Sequence, residues 1–118
     1  MSDEQLRFLL QNIVDKVEGI RSAAIVSAYG LPVQAILEKG DDYKLAAMTA
    51  TILSVAERML IELKSGGLDL CFLRCEEGNI VIMEAGDLIL VVYLYEDARL
   101  DSCFIEMRKL SEQVKELP

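Results

Sequence analysis

The chain has 118 residues, 53% of them hydrophobic, and 20 acidic side chains against 12 basic ones give a net charge of −8. A chain this long hides roughly 65% of its unfolded surface and needs no disulfide staples, and this one is too apolar to be disordered. The absence of a basic cluster argues against nucleic acid and anionic membrane as partners, and with no histidine the commonest general base and metal ligand is missing.

The expected organisation is one domain over residues 1–118. Mean hydropathy is +0.30, high for so small a domain, which points to apolar surface covered by a partner. The longest uncharged run, Ser22 to Leu37, is interrupted by Gly30, Pro32 and Gln34, and it falls short of the about 20 residues a membrane helix needs. The acidic start, Met1-Ser2-Asp3-Glu4, does not read as a signal peptide. A cytoplasmic protein without membrane insertion is expected.

From Asp3 to Val17, apolar residues recur at Leu6, Leu9, Leu10, Ile13, Val14 and Val17, the spacing of a helix with one buried face. Ser2 and Gln5 are placed to form a capping box, and Gly19 sits where a helix stop belongs. Ile20 to Ala28 and Leu31 to Leu37, joined at Tyr29-Gly30, read as a β-hairpin. Pro32 assigns its second strand to a sheet edge.

Asp41 is a helix N-cap, and a long helix from Asp42 to about Lys64 follows. Leu45, Met48, Ile52, Val55, Ala56, Met59, Leu60 and Leu63 share a broad face. Ala46, Ala47, Ala50 and Ile61 fall outside it, so this helix is expected to be covered on two sides. Three strands come next: Leu68 to Cys75, Asn79 to Glu84 and Leu88 to Tyr95. The last is apolar at nearly every position, which places it in the middle of the sheet with both faces buried. Ala98 to Leu117 closes the chain with a helical stripe of Leu100, Cys103, Phe104, Met107, Leu110, Val114 and Leu117.

The order is α-β-β-α-β-β-β-α. The expected fold is α+β, a three-layer α/β/α sandwich on a five-stranded antiparallel sheet, with the long helix on one face and the terminal helices on the other.

No motif supplies chemistry. Cys71 and Cys75 lie about 13 Å apart along a strand, beyond the roughly 7 Å limit for a disulfide, and no third ligand completes a zinc site. Cys71, Cys75 and Cys103 read as core or interface residues. Gly66, Gly67 and Gly78 match no phosphate-binding loop and are read as helix-stop and turn residues. Asp41-Asp42 and Glu76-Glu77 sit where a cap and a turn need them. No nucleophile has an adjacent base, so no catalytic residue, cofactor or metal is expected. The strand positions facing the helices are Leu, Ile, Val and Met, with no convergent polar groups, which argues against a small-molecule sensor.

Four stretches carry a resemblance to a known family: Val17 to Val33; the alanine-rich Lys44-Leu-Ala-Ala-Met-Thr-Ala-Thr-Ile-Leu-Ser-Val-Ala-Glu-Arg58; Glu77-Gly-Asn-Ile-Val-Ile82 with Gly86-Asp87; and Glu106-Met-Arg-Lys-Leu110. Together they resemble the roadblock / dynein light chain family, whose fold is roadblock/profilin-like. Tyr29 and Asp101 depart from its usual pattern, which has Asp or Asn beside the hairpin glycine and a glycine early in the last helix. The resemblance implies a homodimer, or a heterodimer with a paralogue, in which the long helices pack together and the third strands pair. It also implies a small Ras-like GTPase as partner, as for the gliding-motility activators and Ragulator scaffolds, or a structural adaptor role as in dynein.

The third strand supports pairing independently. It has no proline, and bare edges of this kind aggregate unless covered. The candidate interface is therefore Ala47, Ala50, Ser54, Arg58 and Ile61 on the long helix, with Leu70, Phe72 and Arg74 on the third strand. Arg58 and Arg74 are read as interface-rim residues rather than as arginine fingers.

Overall fold

The computed structural model describes residues 2–116. The elements are α1 (Asp3–Lys16), β1 (Ile20–Ser27), β2 (Pro32–Ile36), α2 (Asp42–Glu62), β3 (Cys71–Cys75), β4 (Gly78–Ala85), β5 (Leu88–Tyr95) and α3 (Leu100–Glu116). The sheet order is β2-β1-β5-β4-β3, with every neighbouring pair antiparallel. The expected architecture is observed: β5 is central, and Pro32 starts an edge strand.

Local chemistry sets the helix starts. Ser2 accepts from the Gln5 backbone while the Gln5 side chain returns to the Ser2 backbone, closing the capping box. Asp41 accepts from the Tyr43 and Lys44 amides, which have no backbone partner within the helix. Under one sheet face, α1 and α3 enclose the larger core, built on Leu6, Leu10, Ile13, Leu90, Val92, Leu94, Met107 and Leu110. The other face carries α2 alone, over Ala24, Val26, Ile82, Ile89 and Val91.

Four sequence expectations need correction. First, α2 is turned differently from what its broad oily face indicates. Its buried side is Ala46, Thr49 and Leu53, whereas Met48, Val55 and Met59 are 57%, 41% and 59% exposed. Ala46, Thr49 and Leu53 face the sheet, and the oily residues of the other face point outward. Second, β3 starts at Cys71 and not at Leu68. Arg108 of α3 holds Asp69 in a two-pronged ion pair at 2.8 Å, which draws residues 68–70 out of the ladder.

Third, α3 starts at Leu100 and not at Ala98. The Ala98 amide donates to the Tyr95 carbonyl, so Ala98 belongs to the preceding turn. Leu117, expected at the end of its stripe, lies outside the described residues. Fourth, Gly78 is the first residue of β4 and not a turn residue. It is buried, and a Cβ there would run into the Leu94 carbonyl and the Tyr93 ring. Only glycine permits that approach.

Candidate functional site

The two flanks of α2 differ. On one, Met48, Ile52, Val55 and Met59 form an exposed apolar stripe. Leu45 and Met48 overhang a cavity of about 290 Å³ whose floor includes Ile80, Val91 and Tyr93. Ile80 pairs with Leu73 and Ile82 with Cys71, so the stripe continues across β4 onto the same face of β3. This apolar surface runs from helix to sheet edge, and among the described residues nothing lies over it.

The edge itself is bare. Glu76 and Glu77 form a two-residue turn between Cys75 and Gly78, which makes that pair the first hydrogen-bonded one. The far side of β4 agrees: Tyr95 donates its amide to Gly19 on the β1 side, so its partner Gly78 turns toward β3. Alternation then directs Cys71, Leu73 and Cys75 to β4 and leaves the N–H and C=O of Phe72 and Arg74 facing outward. The side chains of Phe72 and Arg74 lie on the α1/α3 side of the sheet, the guanidinium 5.8 Å from the ring centre.

The other flank of α2 holds the helix residues singled out in the sequence. Ala50, Ser54, Arg58 and Ile61 line a groove of about 830 Å³ with Glu57, Tyr29, Glu84 and Asp87. Ala47 lies beside it with Gly30 and Thr51. Gly30 has φ +87° and faces Ala47 and Ala50 across the β1–β2 turn. Within the groove, Glu84 is held above the usual carboxyl range, first by its hydrogen bond to Glu57 and then by desolvation.

The structure therefore gathers Ala47, Ala50, Ser54, Arg58 and Ile61 along one flank but separates them from Leu70, Phe72 and Arg74. Leu70 precedes β3 and packs against the α1/α3 core. Sequence reasoning missed the outward stripe as a surface. The signal was there: a helix apolar around most of its circumference must cover more than its own sheet.

It also missed Arg21, which sits at a bulge in β1. Its guanidinium lies 4.7 and 4.8 Å from the Tyr93 and Tyr95 ring centres. It donates to Glu38 at 2.7 Å, to the Tyr93 hydroxyl at 3.0 Å and to the Glu77 carbonyl at 3.1 Å. That hydrogen bonding holds the Glu38 carboxyl below its ordinary range. The arrangement ties the β2–α2 connection and the β3–β4 turn to the central strand. Two tyrosines at alternate positions of an otherwise apolar strand were its sequence trace.

Among the described residues, no helix is long and apolar enough to cross a membrane, and no group of three or more acidic or cysteine side chains is placed to hold a metal.

Fold and exposed edge define an α+β three-layer domain of the roadblock/profilin type. The chain belongs to the Roadblock/LC7 family, with residues 8–94 matching the Roadblock/LC7 domain. Uncharacterized protein MJ1340 of Methanocaldococcus jannaschii is 31% identical over 110 residues, covering 92% of this chain and 95% of that one. Among solved structures, Myxococcus xanthus MglB superposes with a TM-score of 0.90 at 13% identity, covering 98% of this chain and 88% of that one. The Roadblock/LC7 domain from Streptomyces avermitilis gives 0.86 at 20% identity, covering 92% and 93%.

Proposed function

We propose that this chain is a non-catalytic regulator or scaffold that works as a dimer and binds a small Ras-like GTPase. The observation that carries the reading is the continuous apolar surface from the outward stripe of α2 to the unpaired edge of β3. A second copy fits it by two-fold symmetry, edge to edge and helix beside helix, the commonest way for a soluble protein to satisfy such a surface. Dimerisation would create one ten-stranded sheet with two α2 helices on the same face. The GTPase would meet that composite face, where Ala47, Ala50, Ser54, Arg58 and Ile61 line the outer flank of each helix.

The choice of a GTPase rests on family membership and on the likeness to MglB, which is a gliding protein by its Thermus thermophilus namesake. Light scattering under reducing conditions tests the dimer. Pulldown and a GTP-hydrolysis assay with the Ras-like GTPases of the same genome test the partner. Binding at roughly tens of micromolar or tighter, with preference for the GTP state, is expected. A dimer that binds no such GTPase, or is indifferent to its nucleotide, would instead be a structural adaptor.

A further inference from the structure

We propose that β3 carries a redox lock: Cys71 of one copy and Cys75 of a second form a disulfide across the paired edges, and symmetry makes the bond twice. The inference rests on the dimer reading above and adds the register and chemistry of the seam.

The register follows from which groups point outward. Only Phe72 and Arg74 present N–H and C=O to the edge, so a two-fold pair must match these residues with each other. Centring the axis on Leu73 sets each Phe72 opposite an Arg74, and both exchange their hydrogen bonds within the regular strand. The cation then lies beside the aromatic ring, a favourable cross-strand pair. Centring on Arg74 would set two like charges directly opposite. Centring on Phe72 would call on residues 69 and 70, which Arg108 and the α1/α3 core hold elsewhere.

With the axis at Leu73, Cys71 faces Cys75 of the second copy, and both are on the α2 side. This is a non-hydrogen-bonded position, where Cα atoms lie about 4.5 Å apart, within the range of about 4.4–6.8 Å for a disulfide. Within one copy the same two sulfurs are held about 13 Å apart by the strand, so only the two-copy bond closes.

Cys75 is exposed and Cys71 half-buried. The exposed thiol meets an oxidant first. With a small-molecule disulfide as oxidant, the Cys75 thiolate attacks one sulfur and expels a thiolate, leaving a mixed disulfide. The Cys71 thiolate of the other copy then attacks the Cys75 sulfur and expels the second small thiolate. Two protein thiols lose two protons and two electrons, and the oxidant is reduced to two thiols. Desolvation and the nearby Glu57 carboxylate push the Cys71 thiol up, so the closing step accelerates with pH. Cys103 takes no part: it is buried, with its thiol pushed up to about 12.

The test uses the full chain. Light scattering in excess reductant reads assembly, and non-reducing electrophoresis with peptide mapping after treatment with oxidised glutathione reads the bond. Expected are a non-covalent dimer in reductant and, after oxidation, a covalent dimer whose map joins the Cys71 and Cys75 peptides of different copies. Cys71→Ser alone and Cys75→Ser alone lose the covalent band, and co-folding the two variants restores it with a single bond. A dimer that stays non-covalent after oxidation, or an intrachain Cys71–Cys75 bond, overturns the lock and leaves the dimer standing. A covalent band in either single variant overturns the register. A monomer in reductant overturns the dimer reading itself.

Discussion

The two edges of the sheet are built in opposite ways. At β2, Pro32 withholds an N–H, a register shift between Ile25 and Val26 bends the pairing, and Arg7 of α1 donates to the Ala35 carbonyl at 2.8 Å. Each of these makes it harder for another strand to add. At β3 there is no proline, the register with β4 is unbroken over all five residues, and Phe72 and Arg74 offer their backbone groups outward. One molecule thus protects one edge and leaves the other open, beside the exposed apolar stripe of α2. The difference gives any assembly a direction.

The largest effect on this contrast is expected from Ile52→Glu, in the middle of the outward stripe. A charge buried without a partner on both sides of a two-fold seam weakens the dimer by about 3 kcal/mol per copy, about 6 kcal/mol for the pair, on the order of ten-thousandfold in Kd. Sedimentation should report a monomer, with unchanged far-UV circular dichroism because Ile52 is not part of either core. Ala50 is a poorer choice for this experiment: it is half-buried against α2's own sheet, so a charge there would disturb the fold as well.

Next is Arg74→Pro, which removes an outward N–H without touching the ladder to β4. It should weaken dimerisation roughly tenfold to a hundredfold while the monomer keeps its fold. Its counterpart on the closed edge, Arg7→Ala, should cost about 1 kcal/mol of stability and leave the oligomeric state alone. If the two substitutions had similar effects on assembly, the contrast between the edges would be wrong.

The smallest effect concerns the groove on the other flank. The folded-state pKa of Glu84 is raised by Glu57, so its contribution to stability is full below the ordinary glutamate range and is lost as pH rises through the raised value. Above that value, charging Glu84 beside Glu57 is unfavourable. Glu57→Gln should therefore stabilise the fold near pH 7 by about 0.5 kcal/mol, a modest gain because the groove is open to solvent. The gain should vanish on acidification in thermal melts.

What could be read from the sequence was whatever a single element decides for itself. The stripes of α1 and α3 named their buried faces because polar residues flank them clearly. The unbroken apolar run of β5 named its central place because only a strand covered on both sides tolerates it. The orientation of α2 was not legible, because a helix apolar around most of its circumference has no polar face to mark the outside. What settled it was how closely Ala46 and Thr49 let the helix approach, a property of the packed pair and not of the helix. The start of β3 was hidden for a related reason: Leu68-Asp-Leu-Cys-Phe alternates as a strand should, and the residue that interrupts it, Arg108, is 39 positions away. Of the candidate site, the third strand and the small-residue flank were visible, but Met48, Ile52, Val55 and Met59 were read as inward-facing material.

The saddle of Ala46, Thr49 and Leu53 has a thermodynamic corollary. A helix that buries only three of its residues fully against its own sheet gains further footing from whatever rests on its back. If two copies rest on each other's α2, association adds to the stability of each folded copy, and resistance to heat rises with how much of the chain is present.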